Sequence, residues 1–321
     1  MGTVAVGLIG LGRHGLRYAR HLLEPLPSIR LVAVCRRDRT RGAAFAAEHG
    51  LRFHGDYRDL IADPAVEAVI AVAPPLMNRD LCLEAVRARK PLLIEKPLAC
   101  DAHRAREMVE AAEAAGVPLM TAQTLRFDPA IRAMKADLSL AGSCRYLVLT
   151  SRMERRPDLD RHAADYGGRG VLLEVGIHLL DLVRFLTGDE VAEVRGEMEP
   201  APSVGPEDWA VVTLRTRGGV PVFVDVSRVT AGRVCRAEWV GAQGQLIADW
   251  ARRRLALVGT SQADTERQVE GPPTVAAVLR AFAEALLAGS PMPVTGLDGG
   301  RAVEIAEACY ESAAAGLPVK L

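Results

Sequence analysis

Residues 4–15, Val4-Ala5-Val6-Gly7-Leu8-Ile9-Gly10-Leu11-Gly12-Arg13-His14-Gly15, read as a buried strand, a glycine turn and the start of a helix. Gly10, Gly12 and Gly15 stand in the G-x-G-x-x-G spacing. Each glycine has its own physical use: Gly10 permits a tight turn, Gly12 lets backbone approach a pyrophosphate, and Gly15 lets the helix pack close to the strand. The helix that continues through Leu16 to Leu23 ends before Pro25 and offers N–H groups and its positive dipole end to phosphates. Glycine-rich turns are common, so the spacing also fits a plain strand–turn–helix. The apolar strand before it and the helix after it favour a dinucleotide site.

The alternation begun here continues. Strands are expected at Arg30–Cys35, Leu51–Phe53, Ala68–Ala73, Leu92–Ile94 and Pro118–Ala122, with helices at Thr40–His49, Tyr57–Ala62, Asn78–Arg89 and Asp101–Ala115. That pattern means a doubly wound parallel sheet of the Rossmann kind, with its ligand crevice at the carboxyl ends of the strands. From about Gln123 the pattern changes. Helices are expected at Asp128–Asp137 and Val171–Leu186, a polar loop at 153–170, and a run of strands at 145–152, 192–198, 209–216, 220–229, 233–240 and 245–249. Gly218-Gly219 makes a hairpin turn between two of these. Two helices, 275–287 and 297–315, close the chain. The fold class is therefore α/β: a dinucleotide-binding domain over 1–122, then an α+β domain over 123–321 with a mostly antiparallel open sheet.

A chain of 321 residues is long enough for two cores, and 49% apolar with 25% charged residues is ordinary for a globular protein. The 40 basic and 40 acidic residues balance, and Arg252-Arg253-Arg254 reads as a solvated turn, so nucleic acid is not the expected partner. No apolar run approaches the roughly 18 residues of a membrane span. No basic leader precedes the first strand, and a cytoplasmic location is expected. The six cysteines are scattered without a C-x-x-C pair, which suits reduced, mostly buried thiols and no metal. Only four of the 40 basic residues are lysine: Lys90, Lys96, Lys135 and Lys320. A lysine kept in such a chain draws notice, because it can give up its proton where arginine cannot.

Two constellations carry chemistry. Strand five delivers Glu95-Lys96-Pro97 to the same sheet edge as the glycine turn. There Lys96 can hydrogen-bond a cofactor ribose and a substrate oxygen, with Pro97 restricting its backbone. A surface Glu–Lys pair is the bland alternative. Glu174, His178 and Asp181 fall on one face of a helix that is otherwise apolar. A histidine one turn from a carboxylate is a plausible acid/base pair, and Gly176 would leave that face open to a ligand. A purely structural His–carboxylate pair is the alternative. A third signal selects the cofactor. Strand two ends at Cys35-Arg36-Arg37-Asp38, where an NAD enzyme usually has an acidic residue for the ribose 2′-hydroxyl. Arg36 and Arg37 suit a 2′-phosphate, so NADP is favoured over NAD, with Asp38 as a late ribose ligand the competing possibility.

With these residues in hand, the chain resembles the Gfo/Idh/MocA oxidoreductases along nearly its whole length. The matching stretches are residues 7–15, 92–99 (LLIEKPLA), 125–134 (LRFDPAIRAM), 167–188 (GGRGVLLEVGIHLLDLVRFLTG) and 301–319. The resemblance implies hydride transfer between NAD(P) and a hydroxyl or carbonyl of a sugar, cyclitol or related small polyol. It implies a homo-oligomer, dimer or tetramer, formed through the open sheet. Lys96 matches the lysine of the family's E-K-P motif, and His178 the proton-transferring histidine. Glu174 stands where the family usually has Asp. Ala73-Pro74-Pro75 and Asn78 replace a Thr-Pro-Asn run with a histidine three positions on. The expected cofactor contacts are Gly10, Leu11, Gly12, Arg13, His14, Gly15, Arg36, Arg37, Ala73, Pro74, Glu95 and Lys96. The expected substrate contacts are Lys96, Arg126, Tyr166, His178 and Asp181, with Lys96, His178 and Glu174 in the chemistry. Two rival activities fit the same residues: an NAD-dependent glycosidase of this fold, and a non-catalytic cofactor-binding sensor.

Overall fold

The computed structural model describes residues 2–155, 163–200, 205–259 and 264–321. The chain divides into two compact units, Met1–Gln123 with Pro273–Gly300, and Thr124–Pro272 with Arg301–Leu321.

In the first unit β1 (Val4–Ile9), α1 (Arg13–Leu23), β2 (Ile29–Cys35), α2 (Arg39–Glu48), β3 (Arg52–His54), α3 (Tyr57–Ala62), β4 (Ala68–Ala71), α4 (Asn78–Arg87), β5 (Leu92–Glu95), α5 (Ala102–Ala115) and β6 (Leu119–Ala122) follow one another. The sheet order is β3-β2-β1-β4-β5-β6 and every pairing is parallel. Strand order reverses between β1 and β4, which opens a crevice at their carboxyl ends. Every residue of β1, β4, β5 and β6 is buried. Helices on both faces require this, and it is why these strands read as continuous apolar runs. Asp38, Asp56 and Asp101 cap α2, α3 and α5, accepting from the backbone N–H groups of Arg41, Arg58 and Arg104. In contrast, α1 starts at Gly12 with no side-chain cap and no acidic residue in its first turn.

One segment departs from the expected division at 122/123. The helix Thr274–Ala288 packs on α1, β1 and β2, burying Val275, Val278, Leu279 and Phe282. Beyond it Thr295 bridges Met120 of β6. The boundary between the units then falls inside the helix Gly296–Ala315, between Gly300 and Arg301. Each large apolar side chain so buried contributes about 1.5–3 kcal/mol. Reading elements in chain order does not show that a late helix returns to cover an early sheet.

The second unit begins with α6 (Pro129–Ala141) and β7 (Cys144–Glu154). Then come α7 (Ile177–Thr187), β8 (Val191–Glu199), β9 (Trp209–Thr216), β10 (Pro221–Thr230), β11 (Val234–Gly241), β12 (Gln245–Asp249), β13 (Arg254–Val258), β14 (Thr265–Gln268) and finally β15 (Val319–Lys320). The nine-stranded sheet runs β14-β13-β12-β11-β7-β10-β9-β8-β15. Among the described residues only the β7–β10 pairing of this sheet is parallel. Gly219, at φ +87°, turns the chain between β9 and β10. β13, β14 and β15 are additions to the expected strands. Thr265-Glu266-Arg267-Gln268 is exposed throughout and has no apolar alternation to read. Of the arginine triplet, Arg252 and Arg253 lie in an exposed turn, while Arg254 opens β13.

One sheet face is buried. Leu147 and Leu149 of β7, Val222, Val224 and Val226 of β10, and Ala210 and Val212 of β9 are fully buried. The residues between them point away. Among the described residues no helix is long and apolar enough to cross a membrane. All six cysteines are free, and burial pushes the thiols of Cys35 and Cys82 up to about 12.

Candidate active site

In the first unit the glycine turn lies at the crevice edge. Gly10 has φ +97°, and a Cβ there would sit 2.1 Å from the Val72 carbonyl oxygen. A Cβ on Gly15 would sit 2.0 Å from the Gly10 carbonyl oxygen. At Gly12 the same addition meets nothing within 4 Å. Two glycines are therefore required by the protein's own backbone. The third stands bare and exposed at an uncapped helix start, as a cradle for a pyrophosphate requires. Arg13 is exposed beside it on the first turn of α1. The residues fit a bound dinucleotide.

Around this turn the other expected cofactor residues take separate places. Leu11 is buried, and its carbonyl accepts from Arg36 Nη1 at 2.8 Å. Arg36 thus reaches from the end of β2 onto the turn, with Arg37 exposed next to it. Asp38 is engaged in capping α2, accepting from Arg41 N at 3.0 Å. Ala73 and Pro74 are half-buried beyond β4, and the Val72–Ala73 peptide is what a Gly10 side chain would strike. Glu95 ends β5 facing α1: it is 2.5 Å from His14 Nε2 and accepts from Tyr18 Oη at 2.9 Å. Burial first, and the Glu95 charge second, push the Tyr18 phenol well above its ordinary value. Glu95 and His14 thereby tie the end of β5 to the helix behind the glycine turn.

Lys96 follows β5 and is half-buried, and its peptide to Pro97 is cis. The next carbonyls, of Pro97 and Leu98, accept from Asn78 Nδ2 at 3.0 and 3.2 Å. Asn78 is almost wholly buried, at the start of α4. It anchors the segment that carries Lys96, a role its position in the sequence did not disclose.

In the second unit the expected helix over Val171–Leu186 is continuous but not uniform. Leu172–Gly176 form a π-helical turn, and α7 continues from Ile177. Such widened turns recur at functional sites. Glu174 lies on the turn, while His178 and Asp181 lie on α7, and Glu174 and His178 are half-buried. Gly176 does not leave the face open. It is buried, and a Cβ there would lie 2.8 Å from Leu172 and 3.2 Å from Val226, so the glycine serves close packing of helix on sheet.

Asp181 and Arg126 grip each other. Arg126 Nε and Nη2 donate to the two Asp181 oxygens at 2.7 and 2.6 Å, and both side chains are nearly buried. Such a fork is rigid as well as strong. The Arg126 guanidinium also lies 5.4 Å from the Phe185 ring centre. Burial, then the Arg126 charge, hold Lys135 below its ordinary value on the same ring. Tyr166 is half-buried in a short 3₁₀ turn, Ala163–Tyr166. Arg155 lies 3.9 Å from Asp208, and Arg156 and Arg161 of the polar loop fall outside the described residues.

Four residues holding this helix were not foreseen. Glu207, almost fully buried, accepts from Gly170 N at 2.9 Å, Leu172 N at 2.8 Å and Tyr310 Oη at 2.8 Å. Tyr310 Oη in turn accepts from Leu173 N at 3.2 Å. Arg228 Nη1 donates to Glu174 at 2.6 Å, and Arg228 Nε to Asp208 at 2.8 Å. Arg228 had one available signal. It continues the inward row Val222, Val224, Val226 of β10, and a cation on a buried row needs a carboxylate partner.

Known proteins resemble this chain over nearly its whole length. Residues 4–123 match the model of an oxidoreductase family with an NAD-binding Rossmann fold, and residues 140–247 that of a GFO/IDH/MocA C-terminal domain. Inositol 2-dehydrogenase 1 of Saccharopolyspora erythraea is 30% identical, over 99% of this chain and 96% of that protein. Myo-inositol 2-dehydrogenase of Thermotoga maritima is 29% identical, over 98% of each. The structure of an Agrobacterium radiobacter oxidoreductase in complex with NAD+, L-tartaric acid and magnesium superposes with a TM-score of 0.89 at 25% identity, covering 99% of this chain and 98% of that one.

Proposed function

The chain belongs to the Gfo/Idh/MocA oxidoreductases, and from that premise we propose that it interconverts a hydroxyl and a carbonyl on an inositol-like or sugar-like polyol, using NADP in preference to NAD. The observation that carries the dinucleotide half is the turn whose Gly12 is kept bare while Gly10 and Gly15 are closed by backbone. The names of full-length relatives support the polyol half. Support for NADP comes from Arg36 and Arg37 at the end of β2, with Asp38 committed to its helix cap.

When bound, the nicotinamide supplies the hydride donor or acceptor. Lys96 donates a hydrogen bond to the reacting oxygen and stabilises charge developing there. His178 takes or returns the hydroxyl proton, and Glu174 orients its ring. Tyr166 and Arg126 contact substrate hydroxyls, with Asp181 fixing the Arg126 fork. No observation favours the glycosidase or sensor reading.

A homo-oligomer, dimer or tetramer, is part of the proposal. Tyr146, Val211 and Phe223 are 40%, 46% and 44% exposed on the outward face of the sheet, and the rings of Tyr146 and Phe223 meet edge to face at 6.1 Å. Phe223→Glu is expected to lower the mass measured by sedimentation, and a wild-type monomer refutes the assignment.

The test of the activity is a panel of inositols, aldoses and keto-sugars offered with each nucleotide, following the absorbance of the reduced nicotinamide. Turnover of a cyclitol or sugar is expected, faster with NADP. No turnover of any polyol with either nucleotide would overturn the activity, and tighter binding of NADH than NADPH would overturn the preference.

A further inference from the structure

Arg228 is 5% exposed, at the end of the inward row of β10, and has a carboxylate on each side. Its Nη1 donates to Glu174 Oε2 at 2.6 Å and its Nε to Asp208 Oδ1 at 2.8 Å. Its backbone N–H donates to the Asp208 carbonyl at 2.9 Å, so the cation and this carboxylate are also tied through main chain. The guanidinium is planar, and holding Nε fixes the plane in which Nη1 lies. Two residues before it, Val226 packs where Gly176 leaves room, which seats the π-helical turn on the same strand. Glu174 is a flexible side chain on that turn, and its side chain is 24% exposed. One of its oxygens is thus held from beneath by a buried, doubly anchored cation.

We propose that Arg228 is a positioning residue of the active site: braced by Asp208, it sets the place and direction of the Glu174 carboxylate, and through Glu174 the orientation of His178. This rests on the dehydrogenase reading, in which Glu174 orients the proton-carrying ring. A glutamate anchored at one oxygen keeps the other in one direction without rotamer search, which is the ordering that a proton-transfer geometry needs before substrate arrives. Packing alone predicts a different result. A buried arginine that merely stabilises the sheet would lower the amount of folded protein when replaced, and would act independently of Glu174.

The experiment is a double-mutant cycle in the full-length protein, with a polyol that the wild-type enzyme turns over and with kcat taken per nucleotide-binding site. His178→Ala and Glu174→Gln are controls for the underlying reading. If neither slows turnover, that reading fails whatever Arg228 does. With those controls slowed, Arg228→Gln is expected to lower kcat roughly a hundredfold and Arg228→Lys roughly tenfold, with KM and nucleotide Kd changed less than about twofold. Arg228→Gln combined with Glu174→Gln should be no slower than the slower single variant. The proposal is overturned if Arg228→Gln keeps kcat within about twofold of wild type, or if the losses in the double variant multiply as for independent groups. Should Arg228→Gln fail to fold, Asp208→Asn, which leaves the arginine in place but unbraced, enters the same cycle. A smaller loss of kcat that vanishes in the Glu174→Gln background supports the proposal, and no loss, or one that multiplies, overturns it.

Discussion

The glycine turn of residues 10–15 and the helix of residues 172–187 are both arranged around polar groups, and by opposite means. The turn works by what its residues lack. Backbone closes on Gly10 and Gly15, and Gly12 is left uncovered at an uncapped helix start. The helix works by what its surroundings add. Glu207, Tyr310, Arg228 and Asp208 reach it from β10, the segment before β9 and the last helix, and satisfy its first N–H groups and its carboxylate. A local, backbone-built site tolerates almost no side chain where it must close. A site built from distant side chains tolerates local change but depends on each partner.

The largest expected effect breaks the turn. Gly10→Ala forces a Cβ against the Val72 carbonyl at positive φ, and should cost at least about 3 kcal/mol in thermal or denaturant unfolding. Gly12→Ala should instead unfold within about 1 °C of wild type while losing at least tenfold in nucleotide affinity, because its Cβ meets only the space a ligand would use. Equal destabilisation by the two would remove the distinction drawn here.

Next in size is the helix side of the comparison. Glu207→Ala leaves the N–H groups of Gly170 and Leu172 and the Tyr310 hydroxyl without their acceptor, at a cost of about 3 kcal/mol. Nucleotide Kd per folded molecule should not change. Calorimetry and a nucleotide titration on one preparation check both halves, and an unchanged melting temperature would show that the buried carboxylate holds nothing.

The smallest effect sharpens the cofactor claim. Arg36→Ala should weaken NADPH by about tenfold, or about 1.4 kcal/mol, and NADH much less. Equal losses for both would mean that Arg36 serves the turn, through the Leu11 carbonyl, and not a 2′-phosphate.

The same contrast explains what could be read from sequence. The parallel Rossmann sheet and the tight places of Gly10 and Gly15 are local matters of spacing and apolar runs, and these follow from residues 4–122. Lys96 was legible because a strand end fixes where it emerges. In the second unit periodicity predicted one shared face for Glu174, His178 and Asp181, but not the π-helical turn that carries Glu174 and changes that spacing. Val171–Leu186 is apolar nearly all round and offers no break in pattern. Gly176 was read as an opening because a missing side chain looks the same whether a ligand or Leu172 and Val226 fill the space. Arg228 and Glu207 stand 54 and 35 residues from the nearest residue each holds on the site helix, so no local spacing reveals them. The return of Thr274–Ala288 to the first unit is hidden for the same reason.

The central claim assigns nucleotide binding to the first unit and proton transfer to the second. The most direct test is His178→Ala, measured for both nucleotide Kd and kcat with a polyol that the wild type turns over. The account predicts an unchanged Kd with kcat lowered at least roughly a hundredfold. Turnover near the wild-type rate would contradict it, as would a loss of nucleotide affinity that accounts for the lost activity.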